Sequence, residues 1–185
     1  MSRDKRLQDR SIYPHWCTDT VRFSDQDAAG HVNNVALCAY METARLTFIR
    51  DMGMMELSED GVRGISAGMT VSFLAESHWP GQVELGSGVM RIGQSSITIG
   101  AAAFKDGTCI VAAEMTVVRL RGKTPHTIDA GLRKKAGKVF VARLLEGLDR
   151  SRLWPYLAGA SKSHLHGKGG RQSNVHLHLP GHSGS

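Results

Sequence analysis

The stretch from Val35 to Met52 is apolar around most of its circumference, and only a few architectures can accommodate it. Leu37, Cys38, Met41, Ala44, Phe48 and Met52 form one stripe at helical spacing, while Val35, Leu46 and Ile49 add apolar surface elsewhere. A helix of this kind is expected to be covered on most sides. Gly53 is a plausible stop, and Asn33 or Asn34 is suited to cap the start.

The rest of the chain supplies the cover. Trp16 to Ser24 alternates as a strand, with Val21 and Phe23 on one face. Four strand candidates follow the helix. Gly68–His78 comes first, then Gln82–Ile92 after a Pro80-Gly81 turn, then Ser95–Phe104. Cys109–Leu120 is the last, after a strong Asp106-Gly107 hairpin signal. One strand, one buried helix and a meander predict an α+β domain with a curved antiparallel sheet around the helix. A second helix is expected from Asp129 to Leu148, basic on its outer faces, and no internal repeat is visible.

The expected organisation is a loose arm over 1–14, a folded domain over 15–136 and a basic helical extension over 137–158. A disordered tail rich in His, Gly and Ser follows over 159–185. The formal net charge of +6 divides unevenly. Residues 1–120 hold 11 Lys and Arg against 14 Asp and Glu, or −3; residues 121–185 hold 12 against 3, or +9. The folded part is mildly acidic, so no nucleic-acid partner is expected for it, and the basic 133–152 segment reads first as a solvated helix face. Cys17, Cys38 and Cys109 are far apart, with no CxxC or CxxH spacing, so neither a disulfide framework nor a zinc site is expected. No segment approaches the ~20 apolar residues of a membrane span, and cytoplasm is the expected compartment.

The candidate chemistry lies between the first strand and the helix. Asp25 and Asp27 sit in a loop that Gly30 lets turn tightly, just before the helix cap. A carboxylate supplies a nucleophile or base, and free helix N–H groups bind a developing oxyanion. The plainer reading is that Asp27 caps a turn. Asp25 reads as a turn or supporting group. His31 either meets a substrate or holds the loop, and Asn33 and Asn34 are most simply caps. Glu42 and Arg45, at i, i+3, read as a structural pair, with Glu42 as the fallback carboxylate. His164, His166, His176, His178 and His182 lie in the tail, where an unliganded state is expected.

The run D-x-D-x-x-G-H-V-N-N at 25–34, followed by Tyr40, Glu42 and Arg45, resembles the 4-hydroxybenzoyl-CoA thioesterase-like family of hotdog-fold acyl-CoA thioesterases. Val71-Ser72-Phe73, Pro80-Gly81-Gln82-Val83, Arg91 to Ser96 and the Asp106-Gly107 hairpin agree in order and spacing, so the similarity covers roughly residues 16–136. It implies a hotdog fold, a homodimer or homotetramer with the site where subunits meet, and hydrolysis of an acyl-CoA without metal or organic cofactor. The catalytic aspartate of the family falls on Asp27, and the oxyanion site falls on backbone N–H near Asn34. Leu37 stands where many relatives carry an aromatic residue, so a different pocket shape is expected. The rival readings are a non-catalytic acyl-CoA-binding or regulatory hotdog protein and, more remotely, a hotdog dehydratase using His31 and Glu42.

Overall fold

A computed structural model of the chain describes residues 5–53 and 61–141. Strand β1 (His15–Val21) leads through a loop to helix α1 (Asn34–Asp51). Then come β2 (Val62–Phe73), β3 (Gly81–Ile92), β4 (Ser96–Lys105), β5 (Thr108–Arg121), the short β6 (Thr124–Pro125) and α2 (Ala130–Gly137). The strands form one antiparallel sheet in the order β1-β3-β4-β5-β2, with β6 against β5. The sheet curls around α1, which is the hotdog arrangement.

Alternation along the strands produces two buried faces. Leu37, Tyr40, Met41, Ala44 and Phe48 of α1 pack on Val83, Leu85, Ile99, Ala101, Ala103, Val111 and Met115. The intervening residues Ala102, Phe104 and Ala112 face the other way. The Asp106-Gly107 turn has positive φ at both residues, 50° and 79°, which matches the twist of the β4–β5 hairpin.

Several elements differ from the sequence expectation. Residues 5–14 are not a loose arm. They form two 3-10 turns, Lys5–Gln8 and Arg10–Ile12, and bury Leu7, Ile12 and Tyr13 against Phe104 on the outer face. The reason lies in β3. A Cβ at Gly86 would stand 2.6 Å from the Tyr13 ring, and one at Gly88 would stand 2.8 Å from Pro14. Only a bare backbone lets the arm lie this close. Arg10 then stacks over Trp16, 4.4 Å from the ring centroid, and pairs with Glu84.

Strand β1 stops at Val21, so Phe23 is not an inward partner of Val21. It sits in a 3-10 turn, 72% exposed, edge-on to Trp79. Helix α2 is capped by Asp129, whose carboxylate accepts the Leu132 N–H at 2.8 Å, but it ends at Gly137. Val139 and Val141 exchange backbone bonds with Val89, and Val141 is fully buried. The sheet-packed structure therefore continues past 136. The rest of the expected basic extension, the tail and its histidines lie outside the described residues. Helix α1 is covered over more than half of its circumference, Ile49 included, while Val35 and Leu46 remain exposed.

Among the described residues no helix is long and apolar enough to cross a membrane.

Candidate functional site

Helix α1 begins where it does because Asn33 stops the chain from continuing the loop. Its Oδ1 accepts the Ala36 N–H at 2.8 Å, an interaction worth about 1 kcal/mol. Its own side-chain amide and backbone N–H both donate to the Asp25 carbonyl, at 2.7 and 2.9 Å. Asn33 is therefore the cap and Asn34 the first helical residue. The N–H groups of Asn34 and Val35 lie in the first turn, where no intrahelical partner exists. Neither finds an acceptor among the described residues.

The loop before the cap is a closed unit. Gln26 bridges Val32, and the Asp27 N–H donates to the His31 carbonyl at 2.8 Å. Gly30 takes φ +80°, a conformation that costs a side-chain-bearing residue far more. Its N–H donates to the Asp27 carbonyl at 3.0 Å. Asp27 Oδ1 accepts the backbone N–H of Ala29 at 2.8 Å and of His31 at 3.2 Å, so the turn-capping reading of Asp27 holds. Oδ2 receives no hydrogen bond among the described residues, and the side chain is exposed.

Asp25 has the opposite role. Its Oδ2 accepts the Arg22 N–H at 2.8 Å and the Tyr40 hydroxyl at 2.6 Å, which ties the loop to the second turn of α1. Burial raises the Tyr40 pKa above its ordinary value, and the Asp25 carboxylate raises it further.

Beneath this loop lies a cavity of about 380 Å³. It is lined by Asp27 and His31, by Asn33, Asn34 and Leu37 from the start of α1, and by Phe73 to Glu76 from the chain leaving β2. The two walls are joined by the Val32 N–H, which donates to the Ser77 carbonyl at 2.7 Å. His31 faces Glu76, with Nε2 3.6 Å from Oε2. The ring of His31 meets that of His78 edge-on at 5.0 Å.

The structure thus brings Asp27, His31, Asn33 and Asn34 to one cavity, with Gly30 shaping the loop above it. Glu42 is elsewhere. It lies eight residues beyond Asn34, about 12 Å along the axis, and is held by the largely buried Arg45 guanidinium. Glu76 and His78 were not anticipated. Their only local signal is a spacing of two residues, and His31 is far away in sequence.

A carboxylate with a free oxygen, unspent helix N–H groups and a cavity between them are what acyl transfer requires. Residues 21–136 match the Thioesterase-like superfamily. The chain belongs to that superfamily. No curated protein matches it. Among solved structures, the superfamily member is similar to a protein from Pseudomonas aeruginosa strain PAO1. The identity is 28% and the TM-score 0.64, over 72% of this chain and 96% of the other. A thioesterase from Thermus thermophilus, complexed with coenzyme A and Zn, is 28% identical. Its TM-score is 0.59, over 67% of this chain and 98% of the other. A thioesterase-superfamily protein from Jannaschia sp. CCS1 is 25% identical with TM-score 0.59, over 65% and 79%.

Proposed function

We propose that the protein hydrolyses acyl-CoA thioesters, with Asp27 as nucleophile or general base and the Asn34 and Val35 amides as the oxyanion site. The observation that carries this reading is the shared cavity. The unbonded oxygen of Asp27 and the two open N–H groups of α1 belong to residues that line it or adjoin it. The relative that binds coenzyme A lends support.

The thioester carbonyl accepts hydrogen bonds from the amides, and the helix dipole favours the negative charge that develops on its oxygen. As general base, Asp27 takes a proton from the attacking water. The tetrahedral intermediate then expels the CoA thiolate, which leaves with that proton. As nucleophile, Asp27 itself attacks the acyl carbon, and the C–S bond breaks to expel the CoA thiolate. Water then cleaves the resulting anhydride to the free acid, restoring the carboxylate and leaving a proton for the thiolate. Gly30, His31 and Asn33 hold the loop and the amides in register. Leu37 forms part of the wall where the acyl group would lie.

The working unit in this proposal is a homodimer or homotetramer with the cavity at the subunit interface. Among the described residues strand β2 leaves an open twelve-residue edge, with Ile65, Met69 and Phe73 exposed along it. Such an edge invites pairing with another strand. Phe73 also lines the cavity, so a second copy along this edge would close it.

Incubating purified protein with a panel of acyl-CoAs and a free-thiol reagent tests the proposal. Thiol release is the expected result. An absorbance change without thiol release would mean a dehydratase, and binding without either would mean an acyl-CoA sensor.

A further inference from the structure

Three metal-ligating side chains meet at the rim of the cavity. One donor atom each from His31, Glu76 and His78 lies within 4.8 Å of the others. The 3.6 Å between His31 Nε2 and Glu76 Oε2 is close to the separation of about 3.3 Å between ligands on tetrahedral zinc with ~2.0 Å bonds. Ser77 is buried between the exposed Glu76 and His78, so both donors leave the chain on its outer side.

The ring of His78 is already oriented. Its Nδ1 lies 3.1 Å from the Gly30 carbonyl. A carbonyl only accepts, so Nδ1 is an N–H and Nε2 is the nitrogen left to bind a metal. This is how metal-binding imidazoles are usually held, with the non-ligating N–H on a backbone carbonyl. The Val32 N–H to Ser77 carbonyl bond fixes the two donor-bearing segments against each other.

We propose that His31, Glu76 and His78 form a binding site for a zinc-type divalent cation. Two imidazoles and a carboxylate suit zinc rather than magnesium or calcium, which take oxygen ligands. Three protein ligands leave a further coordination position for water or another small ligand. Because the His31 N–H donates to Asp27 Oδ1, an ion on His31 also stiffens the loop that carries Asp27. This departs from the metal-free chemistry that the family resemblance implies. It does not rest on the hydrolase proposal, since the ion can bind whether or not the protein cleaves thioesters.

The test is titration of the metal-free full-length protein near neutral pH, with Zn²⁺ by calorimetry and Co²⁺ by visible absorption. The five tail histidines can take up the same ions, so the background carries His164→Asn, His166→Asn, His176→Asn, His178→Asn and His182→Asn. The expected result is one zinc per chain and the intense visible band of four-coordinate cobalt. His78→Ala and Glu76→Gln should each weaken binding by at least about tenfold. The Glu76 side chain is 73% exposed, so Glu76→Gln separates coordination from folding. Loss of zinc binding in the tail-substituted background, or affinity in both rim variants unchanged from that background, would overturn the proposal.

Discussion

Asp25 and Asp27 stand two residues apart in one loop, yet their surroundings are opposite. Asp25 spends its carboxylate on the Arg22 N–H and the Tyr40 hydroxyl, and its carbonyl on Asn33. Asp27 commits one oxygen to the turn and leaves the other without a hydrogen bond among the described residues, beside the cavity. Chemistry needs both halves. For Asp27 to act as proposed its carboxylate must stay open while something else holds the backbone, and here Asp25, Asn33 and Gly30 do so. The inner half of the loop should therefore answer to stability measurements and the outer half to kinetics.

The largest effect separates the two directly. Asp27→Asn keeps an oxygen for the Ala29 and His31 N–H groups, so the melting temperature should hardly change. Turnover of the best acyl-CoA should fall at least about a hundredfold, or ~2.7 kcal/mol in barrier, in a thiol-release assay. Near-normal turnover would remove Asp27 from the mechanism. Asp25→Ala should show the reverse. It strips the partner from the buried Tyr40 hydroxyl and from the Arg22 N–H, at about 1–3 kcal/mol of stability in urea unfolding. An unchanged urea midpoint would mean that Asp25 does not hold the loop.

Asn33→Ala is expected to cost about 1 kcal/mol by the same measurement, since it leaves the Ala36 N–H without its cap. The smallest effect is a pH dependence. Burial raises the Cys109 thiol from its ordinary 9.0 to about 11, and Tyr40 is raised above its ordinary value by burial and then by Asp25. Between the ordinary and raised values the folded chain holds protons that the unfolded chain releases. Stability from these groups is thus intact below about pH 9 and declines toward pH 11. Urea midpoints that stay flat over that window would contradict the assignment.

The parts of this arrangement that were readable from sequence are the local ones. The asparagine cap, the apolar run of α1 and the Asp106-Gly107 turn each depend on neighbouring residues, and each was found where expected. The parts that escaped depend on distant partners. Leu7, Ile12 and Tyr13 are interrupted by charged residues and read as a loose arm, and only the bare backbone of Gly86 and Gly88 makes room for the arm. Phe23 keeps the alternation of β1, but the Arg22 N–H is taken by Asp25 and the strand ends first. Helix α2 carries a basic, helix-like pattern past Gly137, yet Val139 and Val141 find a better partner in Val89. Glu76 and His78 gain meaning only when the end of β2 is laid against Gly30 and His31.

A crystal structure of the protein with an acyl-CoA analogue whose thioester sulfur is replaced by methylene would probe the carbonyl's position directly. The analogue's carbonyl oxygen should lie within about 3.1 Å of the Asn34 and Val35 nitrogens, with an Asp27 oxygen ~3 Å from the acyl carbon or from a water beside it. An analogue seated with its carbonyl away from the start of α1, or with Asp27 turned from it, would contradict the proposed hydrolytic site.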